Sequence, residues 1–247
     1  NYPGAIETKG TLAISARKFF EIVRDFPSEE IVLKELDNHW VEIGNSTVEY
    51  HIVGMNPEDF PEIPKIETED FFEIESAALA GMIAKSVIIS AAADDRRTHI
   101  IGVYAEWIDD QKNKLFRMVS TDGSRLSKVD SVFEKSAKLP VGKGILIPKK
   151  SLNEVGKFLD AEGVVRVAFK DNNFVVKKEN ETIIIRLLDG EFPKYADIIV
   201  KPTAHSVVLD RQLFLMMLKR MSILSSEEYK GVIFNFDSDK LTISSTN

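Results

Sequence analysis

Between positions 16 and 26 the apolar side chains Phe19, Phe20, Ile22, Val23 and Phe26 alternate with Arg17, Lys18, Glu21, Arg24 and Asp25 at helical spacing. This predicts an amphipathic helix that stops before Pro27-Ser28. After it the period shortens to two, and strands are expected at Ile31 to Leu36, Trp40 to Ile43 and Val48 to Val53, divided by the turn residues Asp37-Asn38 and Gly44-Asn45. The same order returns later: a helix at Leu152 to Leu159, then strands at Val164 to Lys170, Phe174 to Lys178 and Thr182 to Leu188. Two further helices are expected near Ser76 to Ala92 and Asp210 to Ser225, the second with Asp210 as its N-cap, and strands at Ile100 to Trp107 and Leu115 to Ser120. Helices set against short antiparallel strands make an α+β protein.

The recurrence extends to the residues themselves. Asp37-Asn38-His39-Trp40-Val41 aligns with Asp171-Asn172-Asn173-Phe174-Val175 at an offset of 134, Asp59-Phe60-Pro61 with Glu191-Phe192-Pro193 at 132, and Arg17-Lys18 with Lys149-Lys150, also at 132. A second block, Ile74 to Ser90 followed by Gly102-Val103, resembles Val208 to Leu224 followed by Gly231-Val232. With the first block named B and the second A, the chain reads B-A-B-A. One complete A-B unit is flanked by half a unit on each side, the signature of a repeated architecture. Pro-rich, acidic Met55 to Ile66 and the segment Lys201 to Ala204 read as links between units.

Composition narrows the class. The 247 residues are 44% hydrophobic and 29% charged, enough for more than one core and unlike a disordered chain. There is no Cys, so neither a disulfide framework nor a Cys-based metal site is available. The apolar runs fall far short of a membrane span. The net charge of −7 argues against a nucleic-acid binder that works by overall basicity, so the location of the cations matters more than their sum. Asn1 is not an initiator Met, and the natural N-terminus is expected to lie upstream.

Five segments in order carry a resemblance: Arg17-Lys18-Phe19-Phe20, Asp59-Phe60-Pro61, Thr121-Asp122-Gly123-Ser124-Arg125-Leu126, Asp189-Gly190-Glu191-Phe192-Pro193-Lys194-Tyr195, and Ile223 to Val232. Together they resemble the bacterial replicative sliding clamp family, the beta subunit of DNA polymerase III, over essentially the whole chain. The resemblance implies the DNA clamp fold: repeated domains with helices on one face of antiparallel sheets. Residues 1–66 would be the second half of clamp domain I, 67–202 a complete domain II, and 203–247 the first half of domain III. It further implies a DNA polymerase processivity factor without an active site of its own and with no cofactor or metal. That factor is a homodimeric ring around duplex DNA, binding without sequence preference in the bacterial cytoplasm with the nucleoid. Its implied protein partners are the DNA polymerase III catalytic subunit, the clamp loader and other proteins carrying a clamp-binding motif; no membrane is involved.

Three sets of residues follow from it. Arg24, Lys149, Lys150, Lys157 and Arg96 are the candidates for facing DNA. Phosphate contacts of that kind carry no sequence information. Each of these residues also reads as part of an ordinary solvated helix face. The peptide-binding cleft would take Ile100, Thr121, Gly123, Ser124, Arg125, Leu126, Pro193 and Ile198, although Asp-Gly after a strand is equally the signal of a plain hairpin. Ser124 stands where the family often has His and Asp197 where a basic residue is common, which bears on partner preference. The wall that the family builds from its C-terminal stretch is expected to be missing from this chain. The subunit interface would use Lys18, Tyr50, Ile52, Ile223 and Leu224, the apolar members of which fit a core position as well.

A rival reading is a metal-dependent phosphoesterase built on Asp94-Asp95 or Asp109-Asp110, with His39, His51, His99 and His205 as ligands or bases. Adjacent loop acids are usually solvated, the His residues lack ligand spacing, and no Gly-rich phosphate loop or nucleophile elbow is present. A protein-binding scaffold that never encircles DNA is the other alternative.

Overall fold

The computed structural model describes residues 4–61, 71–89, 100–109, 112–134, 144–199, 206–224 and 231–245. They cluster into two compact units, Asn1–Pro193 and Lys194–Asn247. The first unit opens with helix α1 (Ala16–Arg24), capped by Ser15, whose Oγ accepts from the Lys18 amide at 3.5 Å. Strands β1 (Val32–Glu35), β2 (Trp40–Gly44) and β3 (Glu49–Val53) follow as an antiparallel meander. Val41, Ile43 and Ile52 form the core of this sheet, and Phe19 and Ile22 of α1 pack on it. Burying that helix stripe is what holds a nine-residue helix, too short to persist alone.

The chain continues with β4 (Phe71–Glu75), α2 (Ser76–Ser86), β5 (Gly102–Asp109), β6 (Lys114–Thr121), β7 (Leu126–Phe133) and β8 (Ile145–Pro148). Helix α3 (Lys149–Phe158) comes next, then β9 (Val164–Lys170), β10 (Asn173–Lys178) and β11 (Glu181–Arg186). Two four-stranded antiparallel sheets result, ordered β11-β10-β9-β4 and β7-β6-β5-β8. Leu79, Met82 and Ile83 of α2 and Leu152 and Val155 of α3 share one core with both sheets. At its centre Phe72 meets Trp107 edge-on at 4.5 Å and stacks near Phe169 at 6.1 Å. Edge-on and offset rings are the geometries the aromatic quadrupole favours. In the second unit, Asp210 caps α4 (Arg211–Met221) by accepting the Leu213 amide at 2.7 Å, as its position predicts. Strands β12 (Ile233–Phe236) and β13 (Leu241–Ser244) form a hairpin, with Phe234 6.0 Å from Phe214 of α4.

The two B blocks share one topology, a helix followed by a three-stranded meander, but in a different register from the aligned residues. Phe19 and Leu152, Ile22 and Val155, Ile43 and Val176, and Ile52 and Ile185 occupy the same core positions, each pair 133 residues apart. The isolated bridges Ala13↔Met55 and Leu146↔Leu188 obey the same offset. So do the turn residues with positive φ, Asn38 and His39 in one block and Asp171 and Asn172 in the other. For the first helix and the middle strand, the offsets of 132 and 134 expected from sequence are therefore corrected to 133. The first turn holds one more residue than the second: the Leu36 amide reaches across to the Trp40 carbonyl, whereas Lys170 and Asn173 pair directly around two residues. A one-residue slip exchanges the faces of a strand. Trp40 is accordingly 42% exposed, whereas Phe174, which the sequence aligns with it, is fully buried.

Both A helices end in a short 3-10 turn, Val87–Ile89 after α2 and Ser222–Leu224 after α4, so they run shorter than expected. Strands β7 and β8 are not marked by the period-two pattern, and β4, which alternates, runs directly into α2. Among them β8 is continuously apolar, with its two central residues buried, and leads straight into α3 through Pro148.

Candidate DNA-facing helices and peptide cleft

Helix α1 packs Phe19 and Ile22, and α3 Leu152 and Val155, on the sheets, and both leave charged residues exposed. At the structural offset of 133, Arg17 corresponds to Lys150 and Arg24 to Lys157, and all four are exposed. The pairing expected from sequence, Arg17 with Lys149 and Lys18 with Lys150, is displaced by one residue: Lys149 begins α3 half-buried, and Lys18 corresponds to Ser151. Acids accompany the cations on both helices. Arg17 Nε lies 3.1 Å from Glu21, Lys157 Nζ 2.9 Å from Glu154, and Arg24 forms a two-pronged contact with Asp25 at 3.0 and 3.1 Å. Exposed pairs of this kind hold little free energy and yield readily to a stronger anion. Between α2 and α3 runs an open groove of about 600 Å³, floored by Ala80, Ala84 and Gly156 and rimmed by Lys150 and Lys157. Arg96 lies outside the described residues.

The hairpin between β6 and β7 gathers five of the cleft candidates. Thr121 and Leu126 are the last cross-strand pair, and Gly123, Ser124 and Arg125 are exposed between them. Asp122 organises the loop: its Oδ1 accepts from the Ser124 amide at 3.0 Å and the Arg125 amide at 3.1 Å, and its Oδ2 accepts from Arg125 Nε at 3.0 Å. Thr121 Oγ1 donates to the Arg125 carbonyl at 2.8 Å and accepts the Gly123 amide at 3.1 Å. Gly123 sits at φ 92, a backbone region a β-carbon disfavours. The Ser124 amide and the Arg125 guanidinium hold the Asp122 carboxyl below the usual carboxylate range.

The remaining candidates come from separate elements. Ile100 is buried, 3% exposed. Pro193 is half-buried and follows Phe192, whose ring stacks on Tyr104 of β5 at 5.0 Å. Ile198 belongs to the second unit and is exposed. Of the interface candidates, Lys18 and Tyr50 are exposed, Tyr50 with Phe26 6.4 Å away. Ile52 is enclosed in the core of the first sheet. Ile223 is exposed on the 3-10 turn that Leu224 ends.

Sequence reasoning missed two features. Ser120 and Ser127, cross-strand partners beside the hairpin loop, donate to consecutive carbonyls at the end of α2: Ser120 Oγ to Ser86 O at 2.6 Å and Ser127 Oγ to Lys85 O at 2.8 Å. On the outer face of the first sheet, register brings Glu42, Glu49 and His51 within 4.8 Å of one another. Lys34 Nζ stands 3.9 Å from Glu42, making this a cross-strand ladder of mixed charge. Both depend on strand register, which no single motif encodes. Of the rival catalytic set, His39 is a turn residue and Asp109 ends β5 exposed; Asp94, Asp95, Asp110, His99 and His205 lie outside the described residues.

Helix-and-meander units of this type define the clamp architecture. The DNA polymerase III subunit beta of Pseudomonas aeruginosa superposes with a TM-score of 0.86 at 22% identity, over 99% of this chain and 65% of that one. A sliding clamp from Bartonella birtlesii bound to griselimycin gives 0.81 at 24% identity, over 98% of this chain and 64% of that one. The beta sliding clamp of Rickettsia felis is 28% identical over 244 residues, 97% of this chain and 62% of that protein. Residues 73–194 match the model of the DNA polymerase III beta subunit, central domain, and nearly the whole chain is similar to proteins named beta sliding clamp. It spans about three fifths of the length of the curated relatives it matches.

Proposed function

We propose that this chain is part of a sliding clamp: a processivity factor, not an enzyme, that encircles duplex DNA as a homodimeric ring and tethers the replicative polymerase. The observation that carries this is the recurrence of exposed cations on equivalent helix positions, Arg17 with Lys150 and Arg24 with Lys157, in a chain whose net charge is −7. A phosphate-binding lining inside an acidic shell binds DNA without reading sequence while the outside repels other anions. In this reading residues 1–66, 67–202 and 203–247 are portions of three clamp domains, and the exposed apolar Phe20 and Val23 of α1 are covered by an A-type helix, as α2 covers α3. Lys18 and Tyr50 on one side and Ile223 and Leu224 on the other form the contact between subunits. The hairpin Thr121 to Leu126, with Pro193, receives hydrophobic peptides of the DNA polymerase III catalytic subunit, the clamp loader and other partners. Burying a Leu or Phe anchor there contributes about 1.5 to 3 kcal/mol. The protein works in the bacterial cytoplasm, with the nucleoid.

The experiment is charge reversal in the full-length protein. Replacing Arg24, Lys150 and Lys157 with Glu is expected to shorten lifetime on nicked circular duplex and to lower the slope of log affinity against log salt by about 0.9 for each phosphate no longer neutralised. Binding of a labelled peptide carrying a Leu-Phe pair should be unchanged. Lifetimes and salt slopes equal to the unmodified protein's would mean that these cations are merely solvated.

A further inference from the structure

We infer that Ser120 and Ser127 are positioning residues of the peptide cleft: a pair of hydroxyls that fixes the β6–β7 hairpin to the end of α2. The inference rests on the cleft reading above. Helix ends leave their last carbonyls without partners inside the helix. Ser86 O and Lys85 O are two of these, and both are taken by the hairpin rather than by solvent. The geometry follows from register. Ser120 and Ser127 are paired across β6 and β7, so their side chains leave the same face of the sheet side by side, toward the helix. Two neighbouring donors therefore meet two consecutive carbonyls. Thr121 and Leu126, the next pair along, turn to the opposite face. The clasp thus holds the stem of the loop on one side and leaves Thr121 and Leu126 on the other.

The surroundings leave these hydroxyls few alternatives. Ser120 is fully buried, so its hydroxyl has no water to fall back on, and Ser86 beside it spends its own hydroxyl on the Met82 carbonyl at 2.8 Å. The loop itself is shaped by local bonds among Thr121, Asp122, Gly123, Ser124 and Arg125. The Ser120 and Ser127 hydroxyls tie that shape to the helix layer, and a peptide that docks on the loop requires both.

Peptide affinity of the full-length protein, read by fluorescence anisotropy of a labelled Leu-Phe peptide well below the melting temperature, tests this. Ser120→Ala with Ser127→Ala should weaken binding about tenfold, the product of two modest hydrogen bonds. Ser127→Ala alone, at a partly exposed position that leaves the buried core untouched, should weaken it about threefold. Ser127→Thr keeps the hydroxyl and should restore affinity. The control is Ser86→Ala, which also removes a buried hydroxyl but leaves the Ser86 carbonyl in place; it should lower stability without changing peptide affinity. Unchanged affinity in the Ser127→Ala and double variants, or an equal loss in Ser86→Ala, would overturn the inference. Failure of the unmodified protein to bind the peptide would instead overturn the cleft reading, and this inference with it.

Discussion

Asp122 is the residue on which the candidate cleft turns. A half-buried carboxylate that accepts two amides and a guanidinium binds protons less readily in the folded loop than in a free chain, and its pKa is lowered. The sign of the consequence is fixed by that direction. A depressed folded value means that the stabilisation is fully present above the unfolded value and is lost as pH falls through the folded one. The amide resonances of Ser124 and Arg125 should therefore titrate together with a midpoint below the usual carboxylate range, and Arg125→Ala should move that midpoint upward by removing one of the donors. A midpoint within or above the usual carboxylate range in the unmodified protein would show that the amides do not hold the carboxylate. The motif Thr121-Asp122-Gly123 signals a turn from sequence alone, because Asp and Gly satisfy turn geometry locally. The partners of Ser120 and Ser127 are invisible there, since the carbonyls they reach lie 34 and 42 residues away.

At the scale of elements, the helices and most strands are legible in the sequence because periodicity is a local property. Register is not. The run Asp-Asn followed by an aromatic residue aligns Trp40 with Phe174, yet an extra residue in the first turn puts them on opposite faces. Mutation separates the two readings. Phe174→Ala empties a fully buried site beside Phe169, 5.1 Å away, and should cost about 3 to 5 kcal/mol in denaturant unfolding. Trp40→Ala, with its ring 42% exposed, should cost less than about half of that. Equal losses would return the repeat to the offset of 134. The same correction changes which cations are equivalent: Lys150, not Lys149, stands opposite Arg17, and Lys157 stands opposite Arg24. Only the core contacts of α1 and α3 reveal this, because a helix with basic residues at adjacent positions aligns equally well at two offsets. Strands β7 and β8 escape notice for a different reason. Buried or mixed on both faces, they lack the alternation that marks a half-exposed strand.

At the scale of the whole molecule one helix-and-meander unit recurs, and in the proposed reading that unit works by enclosure. Direct attraction between exposed cations and phosphates is weak and screened within about 8 Å at physiological salt. A closed ring needs no tight contact, because the topology itself forbids escape. Charge, groove and repeat are then parts of one device: α1 and α3 supply a sliding surface, and the β6–β7 hairpin supplies a tether for a partner. Enclosure also separates this reading from both rivals, since a phosphoesterase and a protein-binding scaffold have no reason to distinguish a circle from a line. The most direct measurement is retention of the full-length protein, loaded on nicked circular duplex, before and after a single restriction cut at moderate salt. Long residence on the circle and prompt loss on linearisation, restored when both ends are blocked, is the expected result. Equal retention on circular and linear DNA would contradict enclosure and leave only ordinary binding.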